Sequence, residues 1–266
     1  MDILQAIITG AIQGITEFVP VSSSAHLAGL PLIMKWSDPG HAADVFLHFG
    51  SLFAVFVVFW KEVALILKGA LHIVTRQASD QRTYALSLLV ASIPTIVVFG
   101  IIEIFFPLRI NSLLFIASNS ILFGALLWLA DRQPIKQPTD KQVSCKDALI
   151  VGFFQTFSII PGASRLGTCL TGMRILGYDR ITSFRFSVLM SIIPVAGAVF
   201  IKTLKVLFSF VYLSLDEMML SCLVAFVLGM LTLKIVLAWL KNGSFLPFVL
   251  YRICLGTALI GFCLLA

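Results

Sequence analysis

The apolar residues of this chain gather into six long stretches that are separated by short polar connections. A helix that spans a bilayer needs about 20 apolar residues, and each of the six stretches has approximately that length. They lie at 42–60, 84–106, 111–130, 182–201, 217–240 and 245–266. We therefore expect an all-α polytopic membrane protein with about six transmembrane helices.

Three shorter apolar pieces lie at 2–16, 22–34 and 148–160, and Pro20 and Pro161 interrupt the chain beside them. These pieces are too short to cross a bilayer comfortably. Irregular backbone at membrane depth is tolerated only where it is buried in protein or lines a wet cavity. We interpret the pieces as two re-entrant helix-loop-helix segments that border a cavity.

Basic residues concentrate in two of the connections, at 61–82 and 131–147. Because Lys and Arg are enriched in cytoplasmic loops, we expect both connections in the cytoplasm and both termini outside. Within the first connection, the apolar stripe of residues 62–76 predicts a short helix that lies at the membrane interface. Lys202 and Lys205 fall on the outer side and depart from the charge rule.

Two segments of the chain resemble each other at an offset of about 141 residues. The first copy has Gly10, Gln13, Pro20 and Ser23, and the second has Gly152, Gln155, Pro161 and Ser164. Three predicted spans lie between the copies, so the second would enter the membrane from the opposite face, as inverted-topology repeats do. This pattern predicts one membrane domain, 1–266, with repeats at about 1–106 and 148–266 whose loop tips meet.

The composition agrees with a membrane protein and argues against several other classes. Hydrophobic residues make up 59% of the 266 positions, charged residues 12%, and the mean hydropathy is +1.02. The net charge of +6 is not arranged as a basic stripe with interleaved aromatics, so we expect no nucleic-acid partner. The five cysteines form no CxxC pair, and we expect neither structural zinc nor a disulfide framework. The opening Met1-Asp2 lacks a basic region, so no removable signal peptide is expected.

Glu17, His26 and Arg165 are ionisable residues in apolar surroundings. A charged side chain at bilayer depth costs roughly 2.5–3.5 kcal/mol on insertion scales, so such residues are functional candidates. Gln13 and Glu17 are four residues apart and share one helical face, where the carboxylate could hold Mg²⁺ or act as a general base. The alternative is that Glu17 caps backbone amides or forms a structural ion pair with Arg165.

The serine run at 22–24 precedes an apolar piece and is followed by His26. Serine is a common helix N-cap, and Ser23 and His26 are close enough in sequence to share a hydrogen bond within one turn. A Ser-His pair suits nucleophilic or acid-base chemistry. The alternative is a simple cap, with His26 as a satisfied core residue.

The segment 161–165, Pro-Gly-Ala-Ser-Arg, has the composition of a phosphate-binding loop. Gly162 allows close backbone approach, Ser164 offers a hydroxyl, and a helix that begins here would favour an anion. Arg165 could hold phosphate oxygens bidentately and stabilise charge during phosphoryl transfer. The alternative is a helix break with a snorkelling Arg. His48, a few residues inside a predicted span, is a weaker candidate for the same cavity.

These two motifs together resemble the undecaprenyl-diphosphate phosphatases of the bacitracin-resistance family. The resemblance rests on Gln13 to Glu17 with the Ser-Ser-x-x-His continuation and on Pro-Gly-x-Ser-Arg at 161–165, and it covers nearly the whole chain. The chain departs from the second motif, because Leu166 and Cys169 stand where the family usually has Ser and Thr, and Thr168 comes one position earlier.

The resemblance implies hydrolysis of a C55 polyprenyl diphosphate to the monophosphate in the bacterial inner membrane, with the site open to the outside. It also implies a divalent cation, Mg²⁺ or Ca²⁺, near Glu17, a role in peptidoglycan synthesis, and bacitracin resistance. The catalytic candidates are then Glu17, Ser23, His26 and Arg165. The candidates for substrate binding are Gln13, Ser22, His48, Gly162, Ser164 and Thr168.

The sequence leaves the function, the nucleophile and the oligomeric state open. Inverted repeats with broken helices also occur in secondary transporters, so a polyprenyl-phosphate transporter or flippase that uses the same site is the alternative function. The nucleophile could be Ser23, His26 or water. A homodimer is allowed, although no sequence feature specifies the oligomeric state.

Overall fold

The computed structural model describes residues 1–36, 40–105, 112–138, 142–208 and 215–265. Within these ranges the chain forms twelve α-helices and one 3-10 turn, Phe157–Ile159. The helices are α1 (Ile3–Thr16), α2 (Ser23–Met34), α3 (Gly40–Val58), α4 (Trp60–Val74), α5 (Asp80–Phe105), α6 (Leu113–Asp131), α7 (Cys145–Thr156), α8 (Arg165–Ile175), α9 (Arg180–Met190), α10 (Ile192–Phe208), α11 (Leu215–Trp239) and α12 (Leu246–Leu265). The prediction of an all-α protein is confirmed. The predicted helix ends at 106, 111 and 266, and part of the 131–147 connection, lie outside the described residues.

The long helices confirm a polytopic membrane protein. Five helical segments of the described chain are long and apolar enough to cross a bilayer: Asp80–Ile102, Leu113–Asp131, Arg180–Leu204, Leu215–Trp239 and Leu246–Leu265. The third of them combines α9 with most of α10. The predicted span at 42–60 differs from the others. Ala42–Val58 meets the criterion only together with Trp60–Val74, and the two are bent by 89°.

Two helix-turn-helix units, α1–α2 and α7–α8, correspond to the shorter apolar pieces. Their entry into the bilayer as re-entrant segments remains a prediction. The N-cap residues of the second helices, Ser22 and Ser164, have φ values of 73° and 69°. Ser22 is therefore the structural counterpart of Ser164, since each stands nine residues after the glutamine of its copy, Gln13 or Gln155. The sequence match of Ser23 with Ser164 was off by one residue because it followed the prolines, which stand seven and six residues after those glutamines.

The helices of the two halves follow one another in the same order, α1 to α6 and α7 to α12. α1 packs against α11 and α7 against α5, which is the reciprocal arrangement that two repeats would have. Gly10 and Gly152 permit these contacts. A Cβ on Gly10 would lie 2.6 Å from the carbonyl oxygen of Ser221, and one on Gly152 would meet that of Ala91. Because α6 packs against α12, this order favours a first repeat longer than 1–106.

The two basic connections lie at the same end of the molecule. Gln142 donates a 2.7 Å hydrogen bond to the carbonyl of Asp80, and Ser87 donates one of 2.7 Å to the carbonyl of Val143. The helix α4 confirms a helix at the predicted segment 62–76; its interfacial position and the side of the membrane remain predictions.

Tyr178 donates to a carboxylate oxygen of Asp147 at 2.7 Å. Burial raises the pKa of the Tyr178 phenol, so it remains a donor.

Candidate active site

A cavity of about 350 Å³ lies where the turns of α1–α2 and α7–α8 approach each other. It is lined by Thr16, Glu17, Ser22, Ser23, Ser24, Leu27, Ala28, Asp44, His48, Phe99, Ser158, Ser164, Arg165, Leu166 and Lys202. Six of the ten residues predicted from sequence are among them. The other four, Gln13, His26, Gly162 and Thr168, do not line it.

Glu17, at the C-terminal end of α1, receives donors from three directions. Ser23 Oγ donates to its Oε2 at 2.6 Å, and Gln13 Nε2 donates to the same oxygen at 3.3 Å. Arg165 Nη1 lies 3.7 Å from Oε1. The shared helical face of Gln13 and Glu17 is therefore confirmed. The carboxylate can accept a proton from a hydroxyl while a guanidinium faces it across the cavity.

Gln13 does not line the cavity, but it contacts Glu17 from one helical turn earlier in α1. Its side chain is completely buried, and Nε2 also donates to Ser51 Oγ at 3.4 Å. Its Oε1 is buried without a hydrogen-bond partner among the residues that the structure describes. A buried carbonyl oxygen that lacks a donor usually has a water or an ion beside it. Gln13 therefore has an unused acceptor close to Glu17.

The predicted hydrogen bond between Ser23 and His26 was wrong. Ser23 is the first residue of α2 and faces Glu17, whereas the His26 ring folds back along the helix, with Nδ1 2.8 Å from the carbonyl of Ser22. His26 Nε2 lies 2.7 Å from the hydroxyl of Tyr251, and the two rings are stacked with centroids 5.7 Å apart. Since a carbonyl only accepts, Nδ1 carries the proton and Nε2 accepts from Tyr251.

Arg165 begins α8 and supplies a cationic group to the cavity. Its Nη1 is buried and has no hydrogen-bond partner in the described ranges, apart from its 3.7 Å approach to Glu17. Ser164 Oγ, which the sequence analysis assigned to substrate, accepts from the Gly167 amide at 3.2 Å as the N-cap of α8. The helix break is thus real, and Arg165 lines the cavity at the N-terminus of α8, a position that favours anions.

Gly162 and Thr168, predicted to bind the substrate, do not line the cavity. Gly162 has φ of 93°, and a Cβ there would collide with the carbonyl oxygen of Ile116 on α6. The glycine is therefore required by close packing of the loop on α6. Thr168 donates to the carbonyl of Arg165 at 2.9 Å, inside its own helix. Cys169 is buried, with Sγ 3.6 Å from Oε1 of Gln155.

His48, on α3, lines the cavity as predicted. Its Nδ1 lies 2.8 Å from the carbonyl of Asp44, one helical turn earlier, so Nδ1 carries a proton and Nε2 is the acceptor. His48 can therefore accept a hydrogen bond from a ligand in the cavity.

Arg252, on α12, connects the two loops, and the sequence analysis assigned it no role. Its side chain is completely buried, and Nε donates to the carbonyl of Ser120 on α6 at 3.0 Å. Nη1 donates to Pro20 at 3.2 Å, and Nη2 donates to Gly162 at 2.7 Å and Ala163 at 3.1 Å. One guanidinium thus holds the turn after Glu17 beside the loop before Arg165. An Arg inside the last apolar stretch was the signal that could have revealed it.

Comparison with known proteins shows the family of this chain. The family model described as Bacitracin resistance protein BacA matches residues 6–258. A relative from Moorella thermoacetica, named undecaprenyl-diphosphatase, is 40% identical over 266 residues, which cover 98% of this chain and 97% of the relative. Proteins of the same name from Alcanivorax borkumensis and Ruegeria sp. are 37% and 39% identical, each with 98% of both chains covered. The chain therefore belongs to the bacitracin resistance protein BacA family.

Proposed function

We propose that this protein hydrolyses undecaprenyl diphosphate to undecaprenyl phosphate and phosphate. The observation that carries the proposal is the 2.6 Å hydrogen bond from Ser23 to Glu17, with Arg165 facing the same carboxylate. A hydroxyl beside a base and a guanidinium that can take up phosphate charge are what phosphoryl transfer requires. The identity of the substrate is inferred from the relatives named undecaprenyl-diphosphatase.

In the first step, Arg165 holds the terminal phosphoryl group and Glu17 accepts the proton of the Ser23 hydroxyl. Ser23 Oγ then forms a bond to the terminal phosphorus, and the bond from that phosphorus to the bridging oxygen breaks. Undecaprenyl phosphate leaves with the electron pair, and the proton on Glu17 passes to the departing phosphate oxygen. In the second step, water attacks the phosphorus of the phosphoserine and Glu17 takes up the water proton. The bond from phosphorus to Ser23 Oγ breaks, Glu17 returns the proton to Oγ, and phosphate is released. Direct attack by water activated by Glu17 is the competing route.

His26 acts in this scheme as a positioning residue. It does not line the cavity, and both of its ring nitrogens are engaged, one by the Ser22 carbonyl and one by the Tyr251 hydroxyl. These contacts hold the first turn of α2, and therefore the direction in which Ser23 presents its hydroxyl.

The residues of the site fit a divalent cation that would be bound partly by the protein and partly by the phosphates of the substrate. Among the described residues there is no group of three His, Cys, Asp or Glu side chains that could hold a metal. Mg²⁺, however, is often bound by one or two carboxylates together with substrate phosphates. Glu17 and the unpartnered Oε1 of Gln13 would hold Mg²⁺ or Ca²⁺. When bound, the cation would neutralise part of the diphosphate charge.

The membrane supplies the substrate and explains the apolar surroundings of the site. We place the prenyl chain along the apolar helices next to Phe99, which lines the cavity. An inner-membrane location, a cavity open to the outer face and a homodimer are further parts of the proposal. In that setting the reaction would regenerate the lipid carrier for peptidoglycan precursors. It would also counter bacitracin, the antibiotic that the family description names.

The test is phosphate release from undecaprenyl diphosphate by the detergent-purified protein, with Mg²⁺ or Ca²⁺ and with a chelator. Arg165→Ala is the inactive control, and Arg185→Ala, whose partner is Glu62 at 3.8 Å, is the matched surface control. Release that is lost only in the first variant supports the proposal. No release by folded protein would overturn it and return attention to a transporter or flippase, which has no support among the relatives.

A further inference from the structure

Lys202 is one of the two lysines that depart from the charge distribution expected for an outer connection. The structure places it on α10, where its side chain lines the same cavity as Glu17, Ser23 and Arg165. Its Nζ lies 3.1 Å from Oδ2 of Asp44 on α3. The side chain of Lys205 lies outside the described part of the chain. Lys202 is therefore a cationic group of the candidate active site.

Packing between α3 and α10 directs Lys202 towards this cavity. Val195 and Val199 on α10 pack against Val45 and Phe49 on α3, and Lys202 continues the same face at the i+3 and i+7 positions. A lysine near the end of a span often snorkels along lipid to the interface. Here the ammonium group meets a carboxylate inside the cavity, so snorkelling does not describe its position.

The ion pair between Lys202 and Asp44 is weak enough that a bound anion can replace Asp44 as the partner of Lys202. The side chains of Lys202 and Asp44 are 34% and 39% exposed, and ion pairs with that much solvent contribute little to stability. Among the residues that the structure describes, the cavity is lined by two carboxylates, Glu17 and Asp44, and two cations, Arg165 and Lys202. A diphosphate that carries several negative charges is attracted to both cations, and Arg165 alone leaves part of that charge unpaired.

We propose that Lys202 is a second cationic contact for the diphosphate headgroup, and that Asp44 holds its ammonium group at the cavity until the substrate replaces it. This inference rests on the proposed function, because it concerns the same cavity and substrate class. Lysine suits the role, since its ammonium group is a mobile point charge that can follow a phosphate oxygen. Arg165 remains the contact at the reacting phosphoryl group, and Lys202 contributes mainly to binding.

The first experiment compares Lys202→Met with wild-type protein in detergent, with undecaprenyl diphosphate as substrate. Loss of a charged contact to phosphate is expected to raise KM about 10-fold. We expect kcat to change by less than about 3-fold, because the contact is equally strong in the bound substrate and in the transition state. Lys202→Arg should restore most of the affinity. Lys241→Met, an exposed lysine that does not line the cavity, should leave both constants unchanged. An unchanged KM in Lys202→Met would overturn the inference.

A second comparison separates the headgroup from the lipid tail. Lys202→Met should raise KM by the same factor for a C15 and a C55 polyprenyl diphosphate. A rise confined to the C55 substrate would show that the variant disturbs the tail path, and would also overturn the inference.

Asp44→Asn separates substrate contact from a purely structural ion pair. If Asp44 only holds Lys202, its loss leaves KM at or below the wild-type value. A KM above that value would show that the pair itself is required, which contradicts the inference. Wild-type protein that releases no phosphate from either substrate would instead show that the proposed function has failed, so the two failures are distinguishable.

Discussion

The hydroxyl of Ser23 donates a 2.6 Å hydrogen bond to Oε2 of Glu17, across the turn that joins α1 to α2. Sequence spacing alone placed Ser23 beside His26. The turn instead points the first residue of α2 back at the end of α1, so the base next to the hydroxyl is a carboxylate. This geometry favours Ser23 as the nucleophile.

We expect Ser23→Ala to lower kcat about 10³-fold or more, since it removes the attacking hydroxyl. Rapid acid quenching of the wild-type reaction followed by mass spectrometry should detect phosphate on Ser23. Ser118→Ala, which removes an exposed hydroxyl bonded within α6, is the control. If Ser23→Ala retains more than a tenth of the activity, water is the nucleophile and the covalent route is wrong.

Glu17→Gln and Arg165→Ala should each abolish most phosphate release and leave the helical content by circular dichroism unchanged. The first removes the base and the second removes the group that takes up phosphoryl charge. Arg165→Lys should recover only part of the activity, because an ammonium group cannot bind two phosphate oxygens in a fork. Full activity in either of the first two variants would contradict the site.

Arg252→Met should destabilise the protein and inactivate it together. The loop carbonyls of Pro20, Gly162 and Ala163 would lose their common donor, and we expect unfolding to become easier by about 3 kcal/mol or more. Thermal unfolding in detergent measures this loss, with Arg132→Met as the exposed control. A variant with an unchanged apparent Tm and no activity would instead indicate that Arg252 contacts the substrate.

His26→Ala and Tyr251→Phe test whether His26 acts through position. Both should lower kcat, His26→Ala by about 10- to 100-fold, because small displacements of reacting groups have effects of that size. The pH-rate profile should keep its shape in both variants. Loss of one limb of the profile in His26→Ala would show that His26 transfers a proton in the reaction.

Cys169→Thr should retain or improve activity. The buried Cys169 thiol on α8 lies 3.6 Å from Oε1 of Gln155 on α7, and a threonine hydroxyl is a better donor to the same oxygen. Phosphate release at saturating substrate is the measurement. A complete loss would show that the thiol has a specific role that threonine cannot replace.

Local sequence patterns determined a large part of this protein. The length of the apolar stretches predicted the long helices, because the thickness of the bilayer sets that length. The four-residue spacing of Gln13 and Glu17 predicted their shared face, since helical geometry is local. Pro161 and the residues after it predicted the break at which α8 begins. Glu17 and Arg165 were recognisable because charge in apolar surroundings is expensive.

Only the tertiary structure decided which side chains meet. The direction of Ser23 and His26 depends on how the chain enters α2, and neighbouring positions of one helical turn face different partners. Arg252 joins loops that are 232 and 90 residues away in the chain, and Lys202 reaches Asp44 across 158 residues. Sequence spacing carries no information about such contacts. They depend on which helices pack against each other, and the order of the helices along the chain does not specify that.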